Sequence, residues 1–233
     1  MQASDPLRRN PLIYVDDLGA PELAQPDVEH LFKSRRLTVG DQVNIGDGRG
    51  RWAPARLSSG RGRIDVLAEP VSVPPPHRRR GVAFAPTKGV KPESVVRQLT
   101  ELGIDEITIV RSQRSVVTYN PARAERLLRR LAVTVREAGQ QSRQAWLPRV
   151  VGVIPLADLL GTAEQVLLAD PAGQRLDSSV SPARSALTVA VGPEGGWTDD
   201  ERRLADTVSL PGGILRTETA AIAVGVLLVA FGE

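Results

Sequence analysis

The chain has 233 residues, enough for one large domain or two small ones, with the 41% apolar and 24% charged content of an ordinary soluble protein. It has no cysteine and only two histidines, His30 and His77, so disulfides, thiolate zinc sites, cysteine nucleophiles and a histidine-built metal site drop out. Net charge is +3, but residues 1–150 carry 25 Lys/Arg against 16 Asp/Glu and residues 151–233 carry 5 against 11.

A basic front suits a polyanion partner such as nucleic acid, although an arginine-rich genome would give the same excess (27 Arg, 3 Lys). The first residues are polar and hold no signal-peptide pattern. The longest apolar run, Ala220 to Phe231, has 12 residues, short of the roughly 20 that span a bilayer. A cytoplasmic protein with no membrane partner is expected.

Residues 1–11 read as a basic arm. Short strands follow at Leu12–Val15, Gln42–Ile45, Trp52–Leu57 and Arg63–Leu67, separated by turn formers such as Gly46-Asp47-Gly48. A helix over Asp27–Arg36 interrupts them, with Asp27 as its cap. Short strands at regular spacing predict a small β-barrel domain over 1–73. Pro74-Pro75-Pro76 and the arginines that follow predict a linker over 74–80, since a proline run continues neither ladder nor helix. The triple arginine 78–80 is either a phosphate contact or solvated linker.

From residue 81 to 233 strand and helix alternate, which predicts an α/β domain with a parallel sheet. The strands are Gly81–Ala85, Glu106–Val110, Gln165–Ala169, Leu187–Val191 and Thr207–Leu210; residues 170–184 read as irregular. The helices are Lys91–Leu102, Pro121–Ala138, Leu156–Leu160, Asp199–Ala205 and Ala220–Phe231. Thr198 and Glu201 form a capping-box pattern, and Asn120 caps the long arginine-studded helix.

Two turns carry the chemistry. Gly192-Pro193-Glu194-Gly195-Gly196 follows an apolar strand without the Gly-Lys-Ser/Thr ending of a phosphate loop. It is either a backbone cradle for a small ligand or a tight turn. Glu194 would repel a polyphosphate, which favours a neutral, cationic or zwitterionic ligand. Arg216-Thr217-Glu218-Thr219 opens the last helix; a guanidinium set between apolar Ile214-Leu215 and a buried helix would need Glu194, Glu218 or a phosphate as partner. The last helix is apolar on every face, so a partner subunit or the chain itself covers it. Near Gln140-Gln141-Ser142-Arg143, Trp146 could stack a base and Arg143 hold a phosphate. Lys88-Gly89 with Lys91 is another anion site candidate.

Val191 to Gly196, followed by Gly213-Ile214-Leu215-Arg216-Thr217-Glu218-Thr219-Ala220, resembles the RsmE family of ribosomal RNA methyltransferases. Lys88-Gly89, Thr100 to Ile104, Arg114-Ser115 and Gln141-Ser142-Arg143 agree in order. The resemblance implies S-adenosylmethionine-dependent methylation of N3 of one uridine in 16S ribosomal RNA, free or in the small subunit. It implies a PUA-like β-barrel that binds RNA, then a SPOUT-type domain with a deep trefoil knot, acting as a homodimer. The cofactor pocket would use Leu168, Ala169, Gly192, Pro193, Glu194, Gly195, Gly196, Leu210, Gly212, Ile214, Leu215 and Thr219. Arg216 would orient the uracil or a backbone phosphate, with Glu194 or Glu218 as proton acceptor; Lys88, Arg114, Gln141 and Arg143 would meet RNA. Pro211 and Gly213 replace a glycine and an arginine of the family pattern. The rivals are a SPOUT enzyme acting on transfer RNA ribose and a non-catalytic ribosome-assembly factor.

Overall fold

The computed structural model describes residues 6–23, 37–59, 62–177 and 186–231. The helix expected over Asp27–Arg36 lies outside them. The chain forms two compact units: residues 1–75 with 136–147, and residues 76–135 with 148–233.

In the first unit, β1 (Leu12–Tyr14), β2 (Gln42–Gly46), β3 (Arg51–Leu57) and β4 (Ile64–Val66) form a sheet in that order, and β5 (Val71–Ser72) also pairs with β3. The β2–β3 hairpin turns at Asp47, whose Oδ1 accepts from the Arg49 and Arg51 N–H groups at 2.7 and 3.0 Å. β1 runs parallel to β2 and is buried on both faces. Alternation sends Ile13 into one cluster with Val43, Ile45, Ala53 and Leu57, and Leu12 and Tyr14 into another with Leu7 and Trp52. The front arm is therefore anchored: Leu7 is buried, and the Asn44 amide donates to the Pro6 and Leu7 carbonyls.

Residues 136–147 complete this unit. The Gly50 and Leu147 N–H groups donate to Ala145 and Gly48, and Tyr14 Oη donates to the Gln144 carbonyl at 2.6 Å. Burial pushes the Tyr14 pKa up, only partly opposed by the Arg136 charge, so the phenol stays a donor. The Trp146 indole, a base-stacking candidate in the sequence, instead donates its N–H to Val73.

In the second unit six strands form a parallel sheet: β6 (Arg79–Phe84), β7 (Glu106–Arg111), β8 (Arg149–Pro155), β9 (Val166–Arg175), β10 (Ala186–Val191) and β11 (Thr207–Ser209), in the order β11-β9-β10-β6-β7-β8. Residues 81–84 of β6, 107–110 of β7 and 187–191 of β10 are continuously buried, as expected for a parallel sheet with two covered faces. β6 starts two residues before its expected position. Arg80 is part of that strand and pairs with Asp105 at 3.1 Å, so it is not a solvated linker residue. β9 does not end at Ala169: its ladder to β10 stops there, but the strand continues to Arg175 beside β11.

The helices are α1 (Pro92–Leu102), α2 (Pro121–Ser142), α3 (Leu156–Thr162), α4 (Asp199–Arg202) and α5 (Thr217–Ala230). α1 buries Val95, Val96 and Leu99 and ends at Gly103 in the left-handed region (φ 79°). α2 is capped by Asn120 Oδ1, which accepts from Arg123 N–H, and the capping box of Thr198 and Glu201 is formed on α4. α5 packs against β6, β10 and α1. Gly225 allows the approach to α1, since a Cβ there would meet Leu99 Cδ2 at 2.8 Å. A stripe remains less covered: Ile222, Ala223 and Val229 are half-buried, and Val226 and Ala230 are exposed. Among the described residues no helix is long and apolar enough to cross a membrane.

Candidate active site

Three segments, one where the β9–β10 ladder stops and two beyond the ends of β10 and β11, enclose one cavity of about 500 Å³, within the roughly 300–1,000 Å³ usual for small-ligand sites. They are Ala169–Pro171 from β9, Val191–Trp197 after β10, and Leu210–Leu215 after β11; Thr217 and Ala220 of α5 complete the wall. Parallel sheets place ligands at this edge because the strand-end loops converge there.

Trp197 holds the segments together. It is 1% exposed, its indole N–H donates to the Ala169 carbonyl at 3.0 Å, and its ring packs where a Cβ on Gly192 would come within 3.0 Å. Thr217 Oγ1 donates to the Gly192 carbonyl at 2.9 Å and ties the start of α5 to the same turn. Arg114, in the loop after β7, donates from Nη1 to the Gly195 and Trp197 carbonyls at 2.8 and 3.2 Å.

The charges lining the cavity are two carboxylates, Asp170 and Glu194, and one guanidinium, Arg202. Asp170 is buried. Its Oδ2 accepts from Arg202 Nε at 2.8 Å and its Oδ1 from Ala172 N–H at 3.0 Å. Burial alone would raise its pKa, but these hydrogen bonds and the Arg202 charge hold it below the usual carboxylate range. Asp170 and Arg202 thus offset each other, and exposed Glu194 leaves the lining with a net negative charge. That is wrong for a polyphosphate and right for a ligand with a cationic centre. Gly212 and Gly213 leave open space where a side chain would stand, and Gly212 has φ +103°.

The structure brings together Ala169, Gly192, Pro193, Glu194, Gly195, Gly196, Leu210, Gly212, Ile214 and Leu215. Leu168 does not line the cavity; it is fully buried in the sheet core, one residue too early to face the ligand edge. Thr219 is exposed on α5 and also lies outside the lining. Arg216 occupies the N-cap position of α5 without a side-chain cap bond and is exposed, so it carries no burial cost and the expected need for a partner disappears. Glu194 and Glu218 part company. Glu218 sits apart from the cavity, against a second, very small cleft with Phe84 and Thr87, and its Oε2 is buried with no hydrogen-bond partner among the described residues.

Of the expected RNA contacts, Lys88 and Gln141 are exposed. The Arg143 guanidinium donates to the Arg8 carbonyl. Lining residues beyond those expected from the sequence include Asp170, Trp197, Arg202 and Thr217.

A family model described as an RNA methyltransferase domain matches residues 75–229, and one described as an RNA methyltransferase PUA domain matches residues 23–69. The chain is 35% identical to ribosomal RNA small subunit methyltransferase E of Mycobacterium bovis, over 93% of this chain and 91% of the relative. The chain belongs to the ribosomal RNA small subunit methyltransferase E family. The family member of Synechocystis is 30% identical over 85% of this chain and 69% of its own length. A crystal structure of the family member of Neisseria gonorrhoeae bound to S-adenosyl methionine is 25% identical with a TM-score of 0.79, covering 93% of this chain and 96% of that one. Within the family frame, the site has the right contents for that ligand: room, open glycines, and a lone uncompensated carboxylate for a sulfonium.

Proposed function

We infer that this chain transfers a methyl group from S-adenosylmethionine to small-subunit (16S) ribosomal RNA, at N3 of a uridine. The observation that carries this reading is the strand-end cavity with its net negative lining, in a chain of this family. S-adenosylmethionine, when bound, supplies an electrophilic methyl group on a sulfonium centre. Gly192–Gly196 and Leu210–Leu215 would hold its adenosine part through backbone groups and apolar side chains, and Glu194 would face the cation.

Uracil N3 carries a proton that must leave. Glu194 lines the cavity and is exposed to an incoming base, whereas Glu218 is turned away from it, so Glu194 is assigned the proton and Glu218 is not. Exposed Arg216, between cavity residues Leu215 and Thr217, is assigned the uracil oxygens, where negative charge grows as the proton leaves. Glu194→Gln should lower kcat by about 10²–10⁴, the usual range for a general base, while Glu218→Gln should leave most of kcat intact. A rate loss confined to Glu218→Gln would reverse the assignment.

The first unit, residues 1–75 with 136–147, is assigned the RNA-binding role as a PUA-like small barrel. The expected linker over 74–80 ends where β6 begins at Arg79, and the second unit, residues 76–135 with 148–233, is assigned the catalytic role. The sheet order and the packing of α5 on β6 and β10 support a knotted SPOUT-type domain. The apolar stripe Ile222, Val226 and Val229 supports a homodimer seated on α5. A ribosomal RNA substrate supports a cytoplasmic location.

The deciding experiment incubates the purified chain with S-adenosylmethionine and small subunits, or naked 16S RNA, prepared from a strain lacking the enzyme. Mass spectrometry should find one new N3-methyluridine. Methylation at a ribose, or none with either substrate, would overturn the reading.

A further inference from the structure

We propose that Arg114 is a positioning residue that couples RNA engagement to cofactor binding. This inference rests on the function proposed above. The Arg114 guanidinium has two edges, and the structure uses one. Nη1 donates to the Gly195 and Trp197 carbonyls, both in the turn that lines the cavity. Among the described residues Nε and Nη2 have no partner, and the side chain is exposed. Those two nitrogens form the planar fork that grips a phosphate bidentately.

The loop that carries Arg114 is also fixed to α4, the helix that directly follows the turn. Gln113 N–H donates to Oε1 of buried Glu201 at 2.8 Å, while Oε2 of Glu201 accepts from Thr198 N–H at 2.9 Å. Ser112 N–H donates to Ser115 Oγ, which closes the loop on itself. The segment after β7 and the glycine turn after β10 are thus one braced assembly. A phosphate on the free edge of Arg114 restrains the side chain, and the restrained side chain holds the two carbonyls. Ordering contributed by one ligand is ordering that the other no longer has to supply, so the two bind with positive coupling.

The test is calorimetry of S-adenosylhomocysteine binding to the full chain, with and without a saturating 16S RNA fragment, in wild type, Arg114→Met and Arg114→Lys. In wild type the RNA should tighten the cofactor product several-fold. Arg114→Met should weaken it about tenfold without RNA, as expected for charge-assisted hydrogen bonds, and should abolish the RNA effect. It should also reduce the salt slope of RNA binding by about 0.7–0.9, the share of one phosphate. Arg114→Lys should keep the salt slope and recover only part of the cofactor affinity. Wild-type cofactor affinity in Arg114→Met, or an RNA effect that survives in it, overturns the proposal. If wild type itself binds no cofactor product, the functional reading falls first and takes this one with it.

Discussion

Arg216→Ala should reduce kcat by about 10²–10³, the usual loss when one donor to a developing oxyanion is removed, while S-adenosylmethionine binds as in wild type. The reasoning is positional. Arg216 donates no side-chain cap to α5 and is exposed, so its removal leaves no buried group unsatisfied. Its neighbours on both sides, Leu215 and Thr217, line the cavity, yet Arg216 itself does not. A residue so placed can reach a base that approaches the cavity mouth without touching the cofactor. Single-turnover kinetics beside calorimetry separates the two effects. Unchanged turnover would remove Arg216 from the reaction, and weakened cofactor binding would move it into the pocket wall.

Trp197→Ala should cost about 3–5 kcal/mol of stability, as for other large aromatic truncations in a core. It should also abolish cofactor binding in whatever fraction stays folded. The ring fills the space beside Gly192, and its N–H satisfies the Ala169 carbonyl, so one side chain sets the distance between two of the three segments around the cavity. Truncation leaves both a void and an unpaired carbonyl. Trp197→Phe should separate these contributions: most of the packing survives, and the lost hydrogen bond costs about 1 kcal/mol. Thermal unfolding and cofactor titration of both variants measure this directly. A Trp197→Ala protein as stable as wild type would mean that the segments hold their places without it.

The parts of the fold legible from the chain were those that local patterns encode. The apolar runs of β6, β7 and β10, the amphipathic α1, the Asn120 cap and the Thr198–Glu201 box all follow from residues within a few positions of one another. β8 is absent from the expected strands, although Val150, Val151, Val153 and Ile154 form a β-branched run that signals one. The extension of β9 was hidden by Pro171 and Gly173, which punctuate sequences that normally turn.

The site divided in the same way. Its glycine turns were visible because glycine marks unusual backbone. Asp170 and Arg202 were not, because their meeting spans 32 positions and each alone looks like an ordinary strand-end or helix-surface charge. In sequence, Ile214 and Leu215 look buried, which makes Arg216 look in need of a partner. In the structure Ile214 is 92% exposed, so the surroundings that would have made the charge costly are absent.

The discontinuity of the first unit has a consequence for synthesis. Leu147, the Gln144 carbonyl and the Trp146 indole close around Gly48, Tyr14 and Val73, so the first 75 residues emerge from the ribosome well before the segment that completes them. The front of the protein must wait, partly assembled, through some seventy further additions. Order of translation and order of completion therefore differ in this chain, and a gene fragment cut at the proline run would encode a unit missing one of its own walls.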